Sequence, residues 1–254
     1  EREFSIDAWL PPQMANRAEA IGIRKANTDF WTMLTLSVLA GAFIAAGAIF
    51  STTVAAGAGV LPYGVARMLI GLAFCLGLIM VIVAGAELFT GNNLIIMAWA
   101  NGKVSTRLVL RNWIIVYFGN FVGSILTVGI MLGTKQYTFS KGLVGLTALN
   151  TALAKATLEP VQAFFLGIMC NALVCMAVWL SFSARSTIDK ILSIIFPISA
   201  FVAAGFEHSV ANMYFIPLGI LIKDYASSSF WQLDALAKAS PPVTPDTFAG
   251  LTWS

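Results

Sequence analysis

Two nine-residue stretches hold most of the chemistry available inside the apolar part of this chain: AGAELFTGN from Ala84 and AGFEHSVAN from Ala204. They match at Ala84 and Ala204, Gly85 and Gly205, Glu87 and Glu207, and Asn92 and Asn212, every pair 120 residues apart. The second also carries His208, the only histidine of the chain. An ionisable group within a hydrophobic span costs at least about 2–3 kcal/mol, so it marks an ion or substrate path by default. An imidazole adds a proton that exchanges near neutral pH. His208 is therefore read as a hydrogen-bonding or proton-exchanging group for a permeating species, against the plainer reading of a satisfied buried imidazole. For the other four residues the plainer reading is structural. The glutamates would accept hydrogen bonds from backbone N–H groups freed at a helix break, and the asparagines would cap the resumed half-helices.

The elements that position these residues follow from composition. Of 254 residues, 58% are hydrophobic and only 11% charged, with a mean hydropathy of +0.83, against roughly 25% charged in an ordinary soluble domain. This is an all-α integral membrane protein whose spans, at about 20 residues each, use up most of the chain. Spans are expected at about Phe30–Ala56, Ala66–Val83, Asn112–Leu132, Pro160–Phe182 and Ile191–Ile222. The second breaks at AGAELFTGNN before LIIMAWA resumes; the fifth breaks at AGFEHSVAN and at Pro197 and Pro217. Trp31, Trp113 and Trp179 lie near span ends, where aromatic belts belong. GAGVLPYG, with Gly57, Gly59 and Gly64, reads as a turn between spans. Residues 223–254 read as polar loop.

The second and fifth spans run in opposite directions in this topology, so the paired motifs imply an inverted repeat with two broken helices meeting near the membrane midplane. Breaks are tolerated where freed backbone is buried in protein or lines a watery cavity, and the N-terminus of each resumed half-helix attracts a small anion. Ahead of the spans, residues 1–29 hold a cytoplasmic amphipathic segment. Gln13–Ala26 places Met14, Ala18 and Ile21 on one face and Arg17, Arg24 and Lys25 elsewhere, suiting a membrane surface or another subunit. Nine of 15 basic residues, Arg2, Arg17, Arg24, Lys25, Lys103, Arg107, Arg111, Arg185 and Lys190, fall on the inner side if the N-terminus is cytoplasmic, in line with the positive-inside bias.

Other chemistries find little support. Cys75, Cys170 and Cys175 sit in apolar runs without ligand spacing and read as packing. No metal and no cofactor are expected, since one histidine makes no multi-histidine site and no phosphate-loop motif is present. A net charge of +3 is too small and scattered for nucleic acid.

Three stretches, AGAELFTGNN, NWIIVYFGNFVGS from Asn112 and AGFEHSVANMYFIPLGI from Ala204, resemble the formate/nitrite transporter family, and most closely its bacterial formate channels. The resemblance extends from PPQMANRAEAIGIRKA through the fifth span. It implies a homopentamer in the bacterial inner membrane, not an enzyme, each protomer an aquaporin-like inverted-repeat bundle of six helices with its own pore for a small monovalent anion. The family pattern puts Phe74 and Phe201 at an outer apolar constriction, and Leu78, Leu88 and Phe89, with Thr90 on the loop of the broken second span, at an inner one. Asn171 and His208 would offer hydrogen bonds to substrate between them, with Val174 lining the chamber. Lys155 would add positive potential near Glu207, His208 and Asn212, in place of its plain reading as a lysine snorkelling to water. The N-terminal segment would be a pH-responsive gate. Two greasy rings exclude hydrated cations, and a polar chamber between them recovers part of an anion's dehydration cost; proton exchange with His208 would let a weak-acid anion cross as the neutral acid. Nitrite and hydrosulfide are the alternatives within the family.

Two rivals are weaker. A neutral-solute channel of the aquaporin type places Asn-Pro-Ala at both half-helix starts, and the sequence has none. An intramembrane hydrolase rests only on Ser209 beside His208, and helical neighbours point about 100° apart. The family pattern also calls for a sixth span with a counterpart of FGNFVG at Phe118–Gly123, so the sequence reads as incomplete at its C-terminal end.

Overall fold

The computed structural model describes residues 8–253; Glu1, Arg2, Glu3 and Asp7 of the expected leader lie outside them. α1 (Pro11–Asn27) begins with Pro11 in its first turn, where a missing N–H costs nothing, and with Gln13 Oε1 accepting from Leu10 N at 2.9 Å. α2 (Phe30–Ala55) follows, started by Asp29, whose carboxylate accepts from Thr32 N. After a turn with Gly57 left-handed at φ 88°, α3 (Tyr63–Ala84) runs to the first break. α4 (Phe89–Asn92) and α5 (Ile96–Ala100) resume beyond it, and α6 (Thr106–Thr134) crosses again. The second half opens with α7 (Leu143–Ala156), an amphipathic helix absent from the sequence expectation. α8 (Pro160–Ser181), α9 (Thr187–Ala204) and, after the second break, α10 (Ser209–Tyr225) follow it. Residues 226–253 are not bare loop: α11 (Ser228–Trp231) and α12 (Asp234–Ala237) pin Phe230 and Leu236 into the core.

Among the described residues five helices, α2, α3, α6, α8 and α9, are long and apolar enough to span a membrane. Their directions can be read from which residues meet. Asn120 reaches Ser37 O, Ser124 reaches Gly41 O and Gln136 reaches Thr53, a constant separation of 83 residues, so α2 and α6 are parallel. On α3 and α9 the order reverses: Gly71 lies against Ser199 while Cys75 Sγ reaches Ile195 O. Those two are antiparallel. Cys75 and Ile195 are themselves 120 residues apart, the spacing of the paired motifs. A pseudo-twofold axis therefore passes between α3 and α9 near this pair, as an inverted repeat requires.

Close backbone approach depends on small residues, the usual glue of membrane helices. A Cβ on Gly71 would lie 2.6 Å from Ser199 O, and one on Gly123 would collide with Val38 O of α2. Pro197 and Pro217 break nothing: both lie inside continuous helices, because neighbouring groups in a packed bundle absorb the one lost hydrogen bond. α1 is likewise corrected. It buries Met14, Ala18, Gly22 and Ala26 against its own chain, including Ile95, Ala98, Val178 and Phe182, rather than presenting that face to lipid or another subunit.

Candidate functional site

At the first break α3 ends on Gly85, left-handed at φ 75°, and at the second α9 ends on Gly205 at φ 80°. A positive φ favours glycine, which explains one of the repeated residues. Beyond each glycine the extended segment is held by the first spanning helix of its own half, α2 or α8: Glu87 N donates to Leu36 O and Glu207 N to Leu166 O. These carbonyls are 130 residues apart, not 120.

The glutamates do not accept backbone N–H groups, and the asparagines do not cap. Lysines take that place. In the first half Lys25 Nζ lies 2.8 Å from Glu87 Oε1 and 2.9 Å from Asn92 Oδ1, while Asn92 Nδ2 donates to Glu87 Oε2 and Asn112 Oδ1. In the second, Lys155 Nζ lies 2.9 and 2.8 Å from the Glu207 oxygens, and Asn212 Nδ2 donates to Glu207 Oε2 at 2.8 Å. Lys25 and Lys155 again differ by 130. A carboxylate in a span is expensive unless paired, and each half carries the same lysine–glutamate–asparagine answer. Lys155 is thus no snorkelling lysine, and Lys25, which sequence reasoning put off the buried face of α1, is a member of the site.

Capping falls to other residues. Asn120 of α6 accepts from Phe89 N at 2.9 Å and donates to Ser37 O and Glu87 O, so one buried amide ties α2, the break and α4 together. At the second break His208 is its own cap: Nδ1 accepts from Ala211 N at 3.0 Å. With Nδ1 an acceptor, the proton of the neutral ring sits on Nε2, which donates to Thr90 Oγ1 at 3.2 Å. Thr90 belongs to helix α4 rather than to a loop. His208 makes no hydrogen bond to its sequence neighbour Glu207.

Two vestibules approach this pair. One, of about 210 Å³, is lined by Arg17, Lys25, Glu87, Leu78, Leu88 and Lys190. The other, of about 490 Å³, is lined by Arg67, Lys155, Glu207, Phe74, Phe201 and His208. Phe74 and Phe201 meet edge to face at 5.7 Å, and both flank the His208 ring, at 6.4 and 5.8 Å. One turn along α3, Leu78 is 2% exposed and faces the first vestibule with Leu88. An apolar ring thus stands on each side of the buried Thr90–His208 hydrogen bond. From α8, Asn171 Nδ2 touches Cys175 Sγ at 3.8 Å, Cys175 Sγ reaches Thr90 O at 3.6 Å, and Asn171 Oδ1 is buried without a partner. Val174 is fully buried beside them.

Phe89 does not join Leu78 and Leu88 within the protomer. Its ring packs on Tyr117 and Trp113 of α6, at 5.0 and 6.4 Å, on a surface shared with Leu110, Ile114, Phe118 and Phe121. Trp113 donates to Asn92 O at 3.3 Å, an anchor to the first break. Among the described residues no group of three or more His, Cys, Asp or Glu could hold a metal ion.

An inverted-repeat membrane bundle with two opposed vestibules, a polar pair between apolar rings and a buried lysine–glutamate pair at each break defines a channel-type transport protein. The comparisons give the family. The family model described as Formate/nitrite transporter matches residues 12–244, and the chain belongs to that family. The formate channel FocA of Escherichia coli strain K12 is 42% identical over 247 residues, covering 97% of this chain and 84% of that protein. FocA of Haemophilus influenzae is 40% identical over 231 residues, covering 91% and 81%. A solved structure described as a pentameric formate channel with formate bound superposes with a TM-score of 0.82 at 44% identity, covering 88% of this chain and 85% of that one. The fold expected from sequence, an all-helical membrane bundle of this family, is the one observed. The protein is multi-pass, and the FocA relatives are named as formate channels, not as enzymes.

Proposed function

We propose that this chain is a channel for small monovalent anions, with formate as its substrate, working as a homopentamer in the bacterial inner membrane. The observation that carries the reading is the Thr90–His208 hydrogen bond buried between Phe74–Phe201 and Leu78–Leu88. An anion stripped of water at either ring meets hydrogen-bond donors between them: the Nε2–H of His208, the Thr90 hydroxyl and the Asn171 amide. A cation meets no carboxylate there, because Glu87 and Glu207 are each held by a lysine. Residues 1–29 lie on the cytoplasmic side in this reading and residues 30–254 form the channel domain, with the Lys25 vestibule facing inward. Relatives named as formate channels support the substrate.

Proton exchange has a structural condition. The ring releases its Nε2 proton to an anion only when Nδ1 also carries one, and Nδ1 is occupied by the Ala211 N–H. Relay therefore requires the α10 cap to open, whereas conduction of the bare anion does not. The test is a panel of formate, nitrite, hydrosulfide, acetate and lactate fluxes in proteoliposomes at two pH values, with His208→Asn alongside the wild type. Formate is expected to lead; nitrite clearly outpacing it would overturn the substrate. An unchanged ratio of anion current to proton-coupled uptake in His208→Asn would remove the relay.

A further inference from the structure

The pseudo-twofold relation makes its own violations visible, and the largest involves Arg67. At the start of α3 its Nε donates to Ala203 O at 3.1 Å and its Nη2 donates to Val202 O, carbonyls of the last turn of α9. The equivalent place at the other end of the axis, the start of α9 against the last turn of α3, carries Thr187. Among the described residues no side chain there reaches the carbonyls of Ile82 or Val83. Arg67 also lines the larger vestibule with Lys155, Glu207 and His208. Lys155 is committed to Glu207 by two short bonds, whereas Arg67 has no carboxylate at ion-pair distance among the described residues. The vestibule therefore has Arg67 and Lys155 against Glu207, a net of one positive charge, and the unmatched charge is that of Arg67.

Two consequences follow. The carbonyl end of a helix carries roughly half a negative charge, and that of α9 opens on the same vestibule, whose wall includes Val202, Ala204 and Gly205, where it would repel an anion. Arg67 cancels it. A guanidinium has five N–H donors; two are used on α9, and the others are free for a planar carboxylate. We propose that Arg67 is the anion-capture residue of the Lys155 vestibule, holding a small carboxylate at the mouth of the Phe74–Phe201 ring before it reaches His208. This rests on the reading of the chain as an anion channel.

The experiment is single-sided current recording in planar bilayers, with formate added to each side in turn, on wild type, Arg67→Gln and Arg67→Lys. Arg67→Gln keeps an amide donor for the α9 carbonyls and loses the charge. Its half-saturating formate is expected to rise about 5-fold or more from the Lys155 side, the factor that one charge about 4 Å from the anion gives even at the dielectric constant of bulk water. From the other side it should not move. Arg67→Lys should stay within about twofold of wild type, and the deficit of Arg67→Gln should fade at about 0.5 M salt as the charge is screened. Arg67→Gln behaving as wild type, or Arg67→Lys failing as badly with no salt dependence, would leave only a helix clamp and overturn the proposal. If Arg67→Gln does not assemble, Arg67→His, charged at pH 5.5 and neutral at pH 8, repeats the contrast against wild type at each pH. If the wild type passes nitrite and not formate, the substrate reading falls, and the same ratio measured with nitrite decides Arg67.

Discussion

The lysine–glutamate pairs at the two breaks should be strongly coupled, and a double-mutant cycle on Lys155 and Glu207 measures by how much. Their side chains are 17% and 13% exposed. Removing one partner from a buried pair costs about 3–5 kcal/mol, because the other charge is left uncompensated. Here the vestibule admits water to the lysine side and Asn212 still bonds Glu207, so Lys155→Met should cost about 3 kcal/mol, the low end of that range. Glu207→Gln should cost less, about 2 kcal/mol, since Lys155 keeps the Phe215 ring at 5.5 Å and the vestibule water. The double variant leaves no bare charge and should cost about 3 kcal/mol in all, giving a coupling near 2 kcal/mol. At about 2–4 °C per kcal/mol for a chain of this size, Lys155→Met should melt roughly 6–12 °C below wild type. The assay is thermal unfolding in detergent at a fixed scan rate, with size exclusion to verify assembly. Costs that add within about 0.5 kcal/mol would refute the claim that the lysine is there to hold the carboxylate, and would return Lys155 to an interfacial role.

Asn120→Leu should be more damaging than its place in an apolar helix suggests. Three buried backbone groups, Phe89 N, Ser37 O and Glu87 O, lose their partner. At about 1 kcal/mol or more for each, the loss is about 3–4 kcal/mol, visible as a drop in yield and melting temperature; an unchanged melt would mean other groups satisfy the first break. Gly123→Ala adds a single methyl where Val38 O already occupies the space. Backbone cannot step aside as a side chain does, so a loss of about 2–3 kcal/mol is expected, whereas Gly129→Ala on the same helix, with nothing within 4 Å, should melt as wild type.

What the sequence made legible was whatever it repeated at one spacing. The two glycines, two glutamates and two asparagines recur at 120 residues, and each has its structural counterpart. The lysines that neutralise the glutamates recur at 130, as do Phe30 and Pro160, the first residues of α2 and α8. A search at a single offset passes over them. The signal was present, since Lys25 and Lys155 each stand five residues before such a start. α7 escaped notice because its 14 residues are too short to span and mix polar with apolar. The role of Asn120 had no local mark at all: its three bonds exist only once α2, α6 and the break are packed. Phe89 was misplaced for a related reason. It follows Leu88 in sequence, but Leu88 is still extended and the chain turns into α4 at Phe89, whose ring packs on the α6 face.

The repeat also shows where the two halves differ at the centre of the site. Leu88 and His208 are equivalent positions, each the residue just before its resumed half-helix, with nearly the same backbone, φ −106° and ψ 126° against φ −107° and ψ 111°. Both are buried, and each lines one of the two vestibules. One is an apolar side chain that closes a ring; the other is an imidazole that donates between rings. Their neighbours differ to match. Thr90 of the first half supplies the hydroxyl for His208, and its equivalent in the second half is Val210, fully buried, with no group to offer Leu88. A polar residue at both positions would leave the Leu78 ring open to water, and an apolar one at both would leave an anion no donor between the rings. The duplicated scaffold brings two broken helices together, and in the proposed channel the asymmetry at this one pair of positions lets a single chain hold both a barrier and a binding group.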